Sequence, residues 1–366
     1  MRDRVLVLGA TGVAGNAAAR RFVADERYDV VTVSRRDPRL PETERHHHVA
    51  VDLRDSGAVA EALAEAGPVT HVVYAALYEQ PDLVAGWQDA EQIATNRAML
   101  ANVLAGLRAA GAPLRHVSLM QGTKAYAYHV GPMRVPAKES RPRVEHDNFY
   151  WAQEDLLREA AAEQGFGHTV WRPQFILGGV LGAAMNLVPV IACYAAVRHE
   201  RGEPFSFPGG PSYVAEGVDA RLLASALHWA AEAPAARDET FNITNGDVFE
   251  WRDLWPALAD ALGVDPGPDE PLSLAAWLPE QEEVWQRVVQ RHHLRAHTVE
   301  QLVGYSHRFA DDAFAWAPPG SELASRARPV LLSTVKLRQA GFVDCVDTEI
   351  TFRHWFANLR SERIIP

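Results

Sequence analysis

The chain has 366 residues, 48 % hydrophobic and 23 % charged, with a formal net charge of -11 and a pI near 5.8. That is an ordinary globular composition, long enough for one large domain or a domain with a substantial appendage, and it argues against disordered, fibrous and disulfide-scaffold proteins. No broad basic face exists to neutralise phosphates, so nucleic acid and anionic membrane are not expected as partners, and two cysteines outside any metal-ligand spacing, Cys193 and Cys345, suit a reducing cytoplasm.

Met1-Arg2-Asp3-Arg4 leads straight into an apolar run with no small-residue cleavage site behind it, so no signal peptide is expected. Residues 5–8 read as a strand buried on both faces, ending in glycine and followed by a helix. Strand and helix then alternate, with strands at 30–33, 49–53, 71–76 and 114–119 and helices at 56–66 and 89–110. A helix at 148–164 and a strand at 168–172 extend the series. Such alternation predicts βαβ units and an α/β fold built on a Rossmann-type doubly wound parallel sheet. Further on come a Pro/Gly-rich stretch at 203–211, a helix at 215–231, a strand at 239–243 and a helix at 251–262. Residues 264–330 place prolines between helical segments, and five of the ten tryptophans fall between 229 and 285. The division predicted is a dinucleotide-binding domain over 1–175 and a smaller, mostly helical substrate lobe over 176–366, with some elements returning to the first domain.

Residues 173–197 contain no Asp, Glu, Lys or Arg and are long enough to span a bilayer. Pro173, Gly178, Gly179, Gly182, Asn186 and Pro189 would break such a helix repeatedly, so a buried loop and a core helix are expected instead. His46-His47-His48 and His292-His293 have no carboxylate or cysteine at ligand spacing and adjacent side chains diverge, so no metal site is expected.

Gly9-Ala10-Thr11-Gly12-Val13-Ala14-Gly15 follows the first strand and opens the first helix, with its glycines at GxxGxxG spacing. Gly9 permits the tight turn, Gly12 lets the backbone approach a pyrophosphate and Gly15 lets helix pack on strand, a pattern that points to a dinucleotide. At the end of the second strand stands Ser34-Arg35-Arg36, where an acidic residue would bind the ribose hydroxyls of NAD. Two guanidiniums there suit the 2′-phosphate of NADP(H), with Asp37 leaving NAD as the alternative. Asp52-Leu53 falls where an adenine-contacting pair is usual, and a helix N-cap at Asp52 or Asp55 is the plainer reading.

The turn resembles that of the short-chain dehydrogenases, whose usual working pair is Tyr-x-x-x-Lys on one helix, a spacing that puts both side chains on one face. No tyrosine here has a lysine four residues on, and Tyr150 has Glu154. Either the protein reads the cofactor without catalysis or the cation comes from elsewhere. Lysine is scarce, with Lys124, Lys138 and Lys336 making up three of the 36 basic residues. Lys124, just past the strand at 114–119, sits at the edge where such sheets bind ligands and is the candidate.

Several further motifs run the length of the chain: Gly122-Thr123-Lys124-Ala125-Tyr126 followed by Gly131-Pro132, Asn148-Phe149-Tyr150 with Glu154-Asp155, and Trp171-Arg172-Pro173. Met185-Asn186, the run from Asn242 to Trp251 and the tail from Gly341 to Pro366 continue them. With these, the chain resembles the progesterone 5β-reductase/iridoid synthase-like enzymes, an enone-reducing branch of the extended short-chain dehydrogenases. The resemblance implies a detached catalytic pair, Lys124 on a loop and Tyr150 at a helix start. It also implies that the backbone of Thr11, Gly12 and Val13 faces the pyrophosphate, Ala76 the adenosine side, and Pro173, Ile176 and Met185 the nicotinamide. Departures are Ala125 for a usual histidine, Met133 for phenylalanine, Trp151 for a second tyrosine, and Met120 for a glutamine that Gln121 replaces. In such a reaction a hydride reaches the β-carbon of an unsaturated carbonyl, Tyr150 stabilises the enolate oxygen, and the ammonium of Lys124 lowers the phenol pKa. The function implied is a cytoplasmic NADPH-dependent enone or enal reductase acting on a small molecule, with a homodimer compatible. A ketoreductase, alcohol dehydrogenase or sugar-nucleotide epimerase of the same fold, and a non-catalytic NADP-sensing regulator, are the alternatives.

Overall fold

A computed structural model describes residues 2–41, 43–80, 88–320 and 329–366. By contacts the chain forms two units, Met1–Gln174 with Ala220–Ile243 and Leu332–Asp344, and Phe175–Asp219 with Thr244–Leu331 and Cys345–Pro366.

The first unit is built on a seven-stranded parallel sheet. Strand β1 (Asp3–Leu8) lies between β2 (Tyr28–Ser34) and β4 (His71–Tyr74), with β3 (His46–Ala50) outside β2. On the other side follow β5 (His116–Met120), β6 (Gly167–Pro173) and β10 (Glu239–Ile243), giving the order β10-β6-β5-β4-β1-β2-β3. The order reverses between β1 and β4, and the crevice beyond the carboxyl ends of those two strands is where an open sheet of this kind takes its ligand. Val5, Leu6, Val7 and Leu8 are all fully buried, as a central strand covered on both faces requires. Alternation sends Leu6 and Leu8 into one core with Leu53, Leu63, Tyr74, Leu100, Val103 and Leu157. That core is closed by α2 (Ser56–Glu65), α3 (Ala90–Ala109) and α4 (Phe149–Gln164), while α1 (Val13–Val23) packs with α6 (Ala220–Glu232).

In the second unit, α5 (Leu187–Glu200) has every residue from Leu187 to Arg198 buried. A helix apolar all round belongs inside a core. Around it pack α7 (Trp251–Leu262), α9 (Glu282–Arg291), α10 (Val299–Val303), α11 (Ser306–Ala313) and α12 (Thr348–Ser361), with α8 (Leu274–Trp277) against α11. The run 173–197 is thus the end of β6, the strand β7 (Phe175–Leu177), a loop and most of α5. Asn186, fully buried, caps α5 and donates to the carbonyls of Gly178 and Val180 at 2.8 and 2.9 Å, which folds the loop onto the helix start. No helix among the described residues is long and apolar enough to cross a membrane. Among them, too, no group of three or more His, Cys, Asp or Glu side chains could hold a metal.

Two sequence expectations shift. The helix expected at 215–231 begins only at Ala220, because residues 214–219 are taken up by β8 (Val214–Ala215), which pairs with β11 (Phe249–Glu250), and β9 (Gly217–Asp219), which pairs with β7. Pairing partners far along the chain override the local helical pattern there. The third strand starts earlier and ends earlier than 49–53, running from His46 to Ala50, and on its histidine run Thr32 Oγ1 lies within 2.9 Å of His46 Nε2 and 3.1 Å of His48 Nδ1, holding both rings against β2. Of the segment 264–330, residues 321–328 lie outside the described ones.

Candidate active site

The turn after β1 is shaped by what its glycines lack. Gly9 has φ +80°, and a Cβ on it would lie 2.5 Å from the carbonyl oxygen of Ala75, so the turn lies hard against the end of β4 beside Ala76. A Cβ on Gly15 would run into the Gly9 carbonyl, which is how α1 sits so close to the turn. Gly12, by contrast, would meet nothing nearer than the Gly9 oxygen at 3.4 Å, and it starts α1 without any side-chain cap. The first-turn N–H groups, on Val13 and its neighbours, therefore have no side-chain cap, and a helix N-terminus of this kind prefers an anion. Thr11 is half-buried and Val13 buried, so Val13 offers only its backbone.

Beyond β2, the Ser34 hydroxyl donates to the Arg36 carbonyl at 2.6 Å and tightens the bend that carries the two arginines. Arg35 and Arg36 are exposed, and neither guanidinium makes a hydrogen bond or ion pair among the described residues. Asn16 donates to the carbonyl of Pro38 at 2.9 Å, fastening that loop to α1. Asp52 is engaged by Arg54, whose Nε lies 3.0 Å from Oδ1, and this bond above all lowers its pKa to about 2. The N-cap of α2 is Asp55, which accepts from Gly57 and Ala58 at 3.0 Å. Leu53 is in the core beneath the sheet, so its backbone alone is left for an adenine.

The two residues singled out for chemistry are joined by a third. Lys124 lies on a short 3₁₀ turn, Thr123–Tyr126, and is the one buried lysine of the three. Tyr150 is the second residue of α4 and is 7 % exposed. Between them, Asn148 Oδ1 accepts the Tyr150 N–H at 3.0 Å and Nδ2 donates to the Lys124 carbonyl at 3.2 Å. Ala125, Phe149 and Tyr150 pack as one apolar cluster with Leu77, Ile93 and Trp151 around it. Gly122 makes room for the phenol: a Cβ there would be 3.1 Å from the Tyr150 hydroxyl.

Electrostatics separate the pair. Burial pulls the Lys124 ammonium down to about 8, against the charge of Glu79, whose Oε1 is 3.8 Å from Nζ. Burial pushes Tyr150 well above its ordinary value, Glu79 adds to the rise and Arg172 opposes it. The resemblance implies a phenol acidified by Lys124. Instead desolvation dominates, the opposing cation is Arg172, and the phenol stays protonated.

Gln121, expected at a cofactor, spends its side-chain amide elsewhere: Nε2 donates to the Tyr150 carbonyl and to Glu154 Oε2, both at 3.1 Å, and Oε1 accepts from Arg172 Nε at 3.1 Å. Pro173 closes β6 opposite Ile243 of β10. Ile176 lies on β7 and Met185, with φ +57°, just before the Asn186 cap, both in the second unit. Glu79, Gly122, Asn148 and Arg172 were not assigned roles from sequence. A polar residue directly before a helix start is a capping signal that marks Asn148, whereas nothing local marks Glu79.

A family model described as the NAD dependent epimerase/dehydratase family matches residues 5–244. An (S)-8-oxocitronellyl enol synthase of Nepeta racemosa is 30 % identical over 99 % of this chain and 91 % of its own. A 3-oxo-Delta(4,5)-steroid 5-beta-reductase of Arabidopsis thaliana is 29 % identical over 99 % and 92 %. Among solved structures, the UDP-glucose 4-epimerase of Thermotoga maritima superposes with a TM-score of 0.68 at 17 % identity, covering 98 % of this chain and 99 % of that one. The Bordetella bronchiseptica enzyme WbmH, solved with NAD+, gives 0.66 at 16 %, with coverage of 98 % and 99 %, and shares the fold. The chain belongs to the NAD-dependent epimerase/dehydratase family, in the group that holds the iridoid synthases and progesterone 5β-reductases.

Proposed function

We propose that the protein reduces the activated C=C bond of an α,β-unsaturated ketone or aldehyde with NADPH, using Lys124 and Tyr150. The observation that carries this reading is the Asn148 bridge, which brings a buried lysine and a buried tyrosine from separate elements to one place although no Tyr-x-x-x-Lys exists. The names of the relatives support it, since a 3-oxo-Delta(4,5)-steroid is a conjugated enone and an enol is what conjugate reduction of an enal first gives.

The residues present fit the cofactor. Gly12 leaves the helix start open to a pyrophosphate, and the unengaged guanidiniums of Arg35 and Arg36 fit a 2′-phosphate. Bound there, NADPH would supply the hydride. As the β-carbon is reduced, negative charge gathers on the carbonyl oxygen. A phenol kept protonated by burial is the donor that oxygen needs. Lys124, charged below about 8, offers an ammonium inside a site from which most water is excluded.

The test is to mix the protein with NADPH and 2-cyclohexen-1-one, progesterone or a dialdehyde enal, follow the loss of NADPH absorbance and identify the product. A saturated carbonyl is expected. An allylic alcohol would move the hydride to the carbonyl carbon and replace this reading with that of a ketoreductase. Tight NADPH binding without turnover across the panel would replace it with that of a sensor.

A further inference from the structure

Glu154 follows Tyr150 by one turn of α4, at the position where a Tyr-x-x-x-Lys enzyme carries its lysine. Its carboxylate is 2 % exposed. It accepts from Arg172 Nη2 at 3.2 Å and Gln121 Nε2 at 3.1 Å, and on its outer side pairs with Arg143 Nη2 at 3.1 Å and Arg158 Nη2 at 2.8 Å. The Arg172 guanidinium is held between two rings, 5.2 Å from the centre of Tyr126 and 5.3 Å from that of Trp151, and Tyr126 is itself fixed by Asn242 at 2.5 Å. Gln121 closes the circuit, bonding Arg172, Glu154 and the Tyr150 carbonyl with one amide.

Stability is a poor reason for burying such a group. A buried ion pair is on balance neutral or worse than an apolar pair of the same volume, and α4 already packs on the sheet through Leu157 and Val170. What the circuit does fix is the first turn of α4, at the carbonyl of Tyr150, from the ends of β5 and β6.

We propose that Glu154 and Arg172 are positioning residues for the reduction, acting through Gln121 to hold the Tyr150 hydroxyl over Gly122. The proposal rests on the reading of Tyr150 as the donor to the substrate oxygen. In a Tyr-x-x-x-Lys enzyme one lysine supplies both the place on the helix and the charge. Here a carboxylate takes the place and the cation arrives from the neighbouring strand, where its charge opposes the rise in the phenol pKa that burial causes.

The experiment compares a double variant, Glu154→Leu with Arg172→Met, against Gln121→Leu, Arg172→Lys and Tyr150→Phe. The double variant leaves no unpaired charge inside, since Arg143 and Arg158 are 37 % and 50 % exposed and can turn to water. For each, kcat and KM for 2-cyclohexen-1-one, the Kd for NADPH and the melting temperature are measured. The double variant and Gln121→Leu are expected to lose about ten-fold or more in kcat, with KM and Kd within about two-fold, and Arg172→Lys to keep more kcat than the double variant. Wild-type kcat in the double variant overturns the proposal. So does a loss in which kcat, KM and Kd all worsen along with the melting temperature, the mark of a loosened fold. Full turnover in Tyr150→Phe removes the underlying reading of Tyr150 instead, whatever the other variants do.

Discussion

Asn148 and Lys124 are bonded amide to carbonyl at 3.2 Å, and the same Asn148 side chain caps Tyr150 at 3.0 Å. One planar group thus sets the distance between two backbones. Replacing it by aspartate keeps the capping oxygen and removes the donor, so Asn148→Asp should melt close to wild type yet turn over more slowly. Asn148→Ala removes both and should also cost about 1 kcal/mol of stability. Thermal melts beside steady-state kinetics check this; equal turnover in wild type and Asn148→Asp would show that the Lys124 link is idle.

Activity should fall as pH rises through about 8, because Lys124 is an ammonium below that value and a neutral amine above it. Around it, His129 is held neutral, its pKa lowered to about 4 by burial, His146 and Lys124 itself, and Tyr150 remains protonated, so neither titrates in that range. Glu79→Gln removes the charge that favours the ammonium and should move the alkaline limb down by about one pH unit or more. Profiles of kcat/KM and of NADPH affinity decide it, and an unmoved limb in Glu79→Gln rejects the pairing.

Gly122 has φ 177°, an extended backbone open to any residue, so alanine there brings no strain. Its methyl would nevertheless press on the Tyr150 hydroxyl at 3.1 Å. Gly122→Ala is expected to fold normally, bind NADPH with unchanged affinity and lose about ten-fold in kcat. A crystal structure of the variant would show whether the phenol has moved.

Replacing Arg35 and Arg36 together by alanine should weaken NADPH by about ten-fold or more while leaving NADH nearly unchanged, since only the former carries the 2′-phosphate. Titration of each nucleotide by quenching of tryptophan fluorescence reads both constants. Equal losses would remove the two arginines from that role.

Tyr150→Phe keeps the ring and its packing with Phe149 and Ala125 and deletes only the hydroxyl. NADPH affinity should hold while turnover drops by about 100-fold or more.

The parts of the molecule that the sequence displays are those governed by short-range rules. Gly9, Gly12 and Gly15 mark their turn by spacing, Val5 to Leu8 announce a buried strand, and one lysine among so many arginines draws the eye to Lys124. Tyr150 was found through its neighbours in the motif. Glu79, Arg172 and Gly122 escaped because their roles depend on atoms brought together from the loop after β4, the end of β5, β6 and α4, which no window of sequence contains. The direction of the Tyr150 shift escaped for the same reason: it is set by desolvation, a property of the packed interior. Residues 215–219 read as helical because the strand partners of 214–219, at 175–177 and 249–250, lie far away along the chain.

The sheet draws its seventh strand, β10, and one covering helix, α6, from residues 220–243, after the chain has left for the second unit and come back. A fragment stopped at Gln174 would expose the whole length of β6 as an unpaired edge and strip α1 of the helix it packs on. Bare edges of that kind recruit other chains. The sheet is therefore incomplete in any fragment that ends there, and a nascent chain must keep this edge from other molecules until Ile243 has been added.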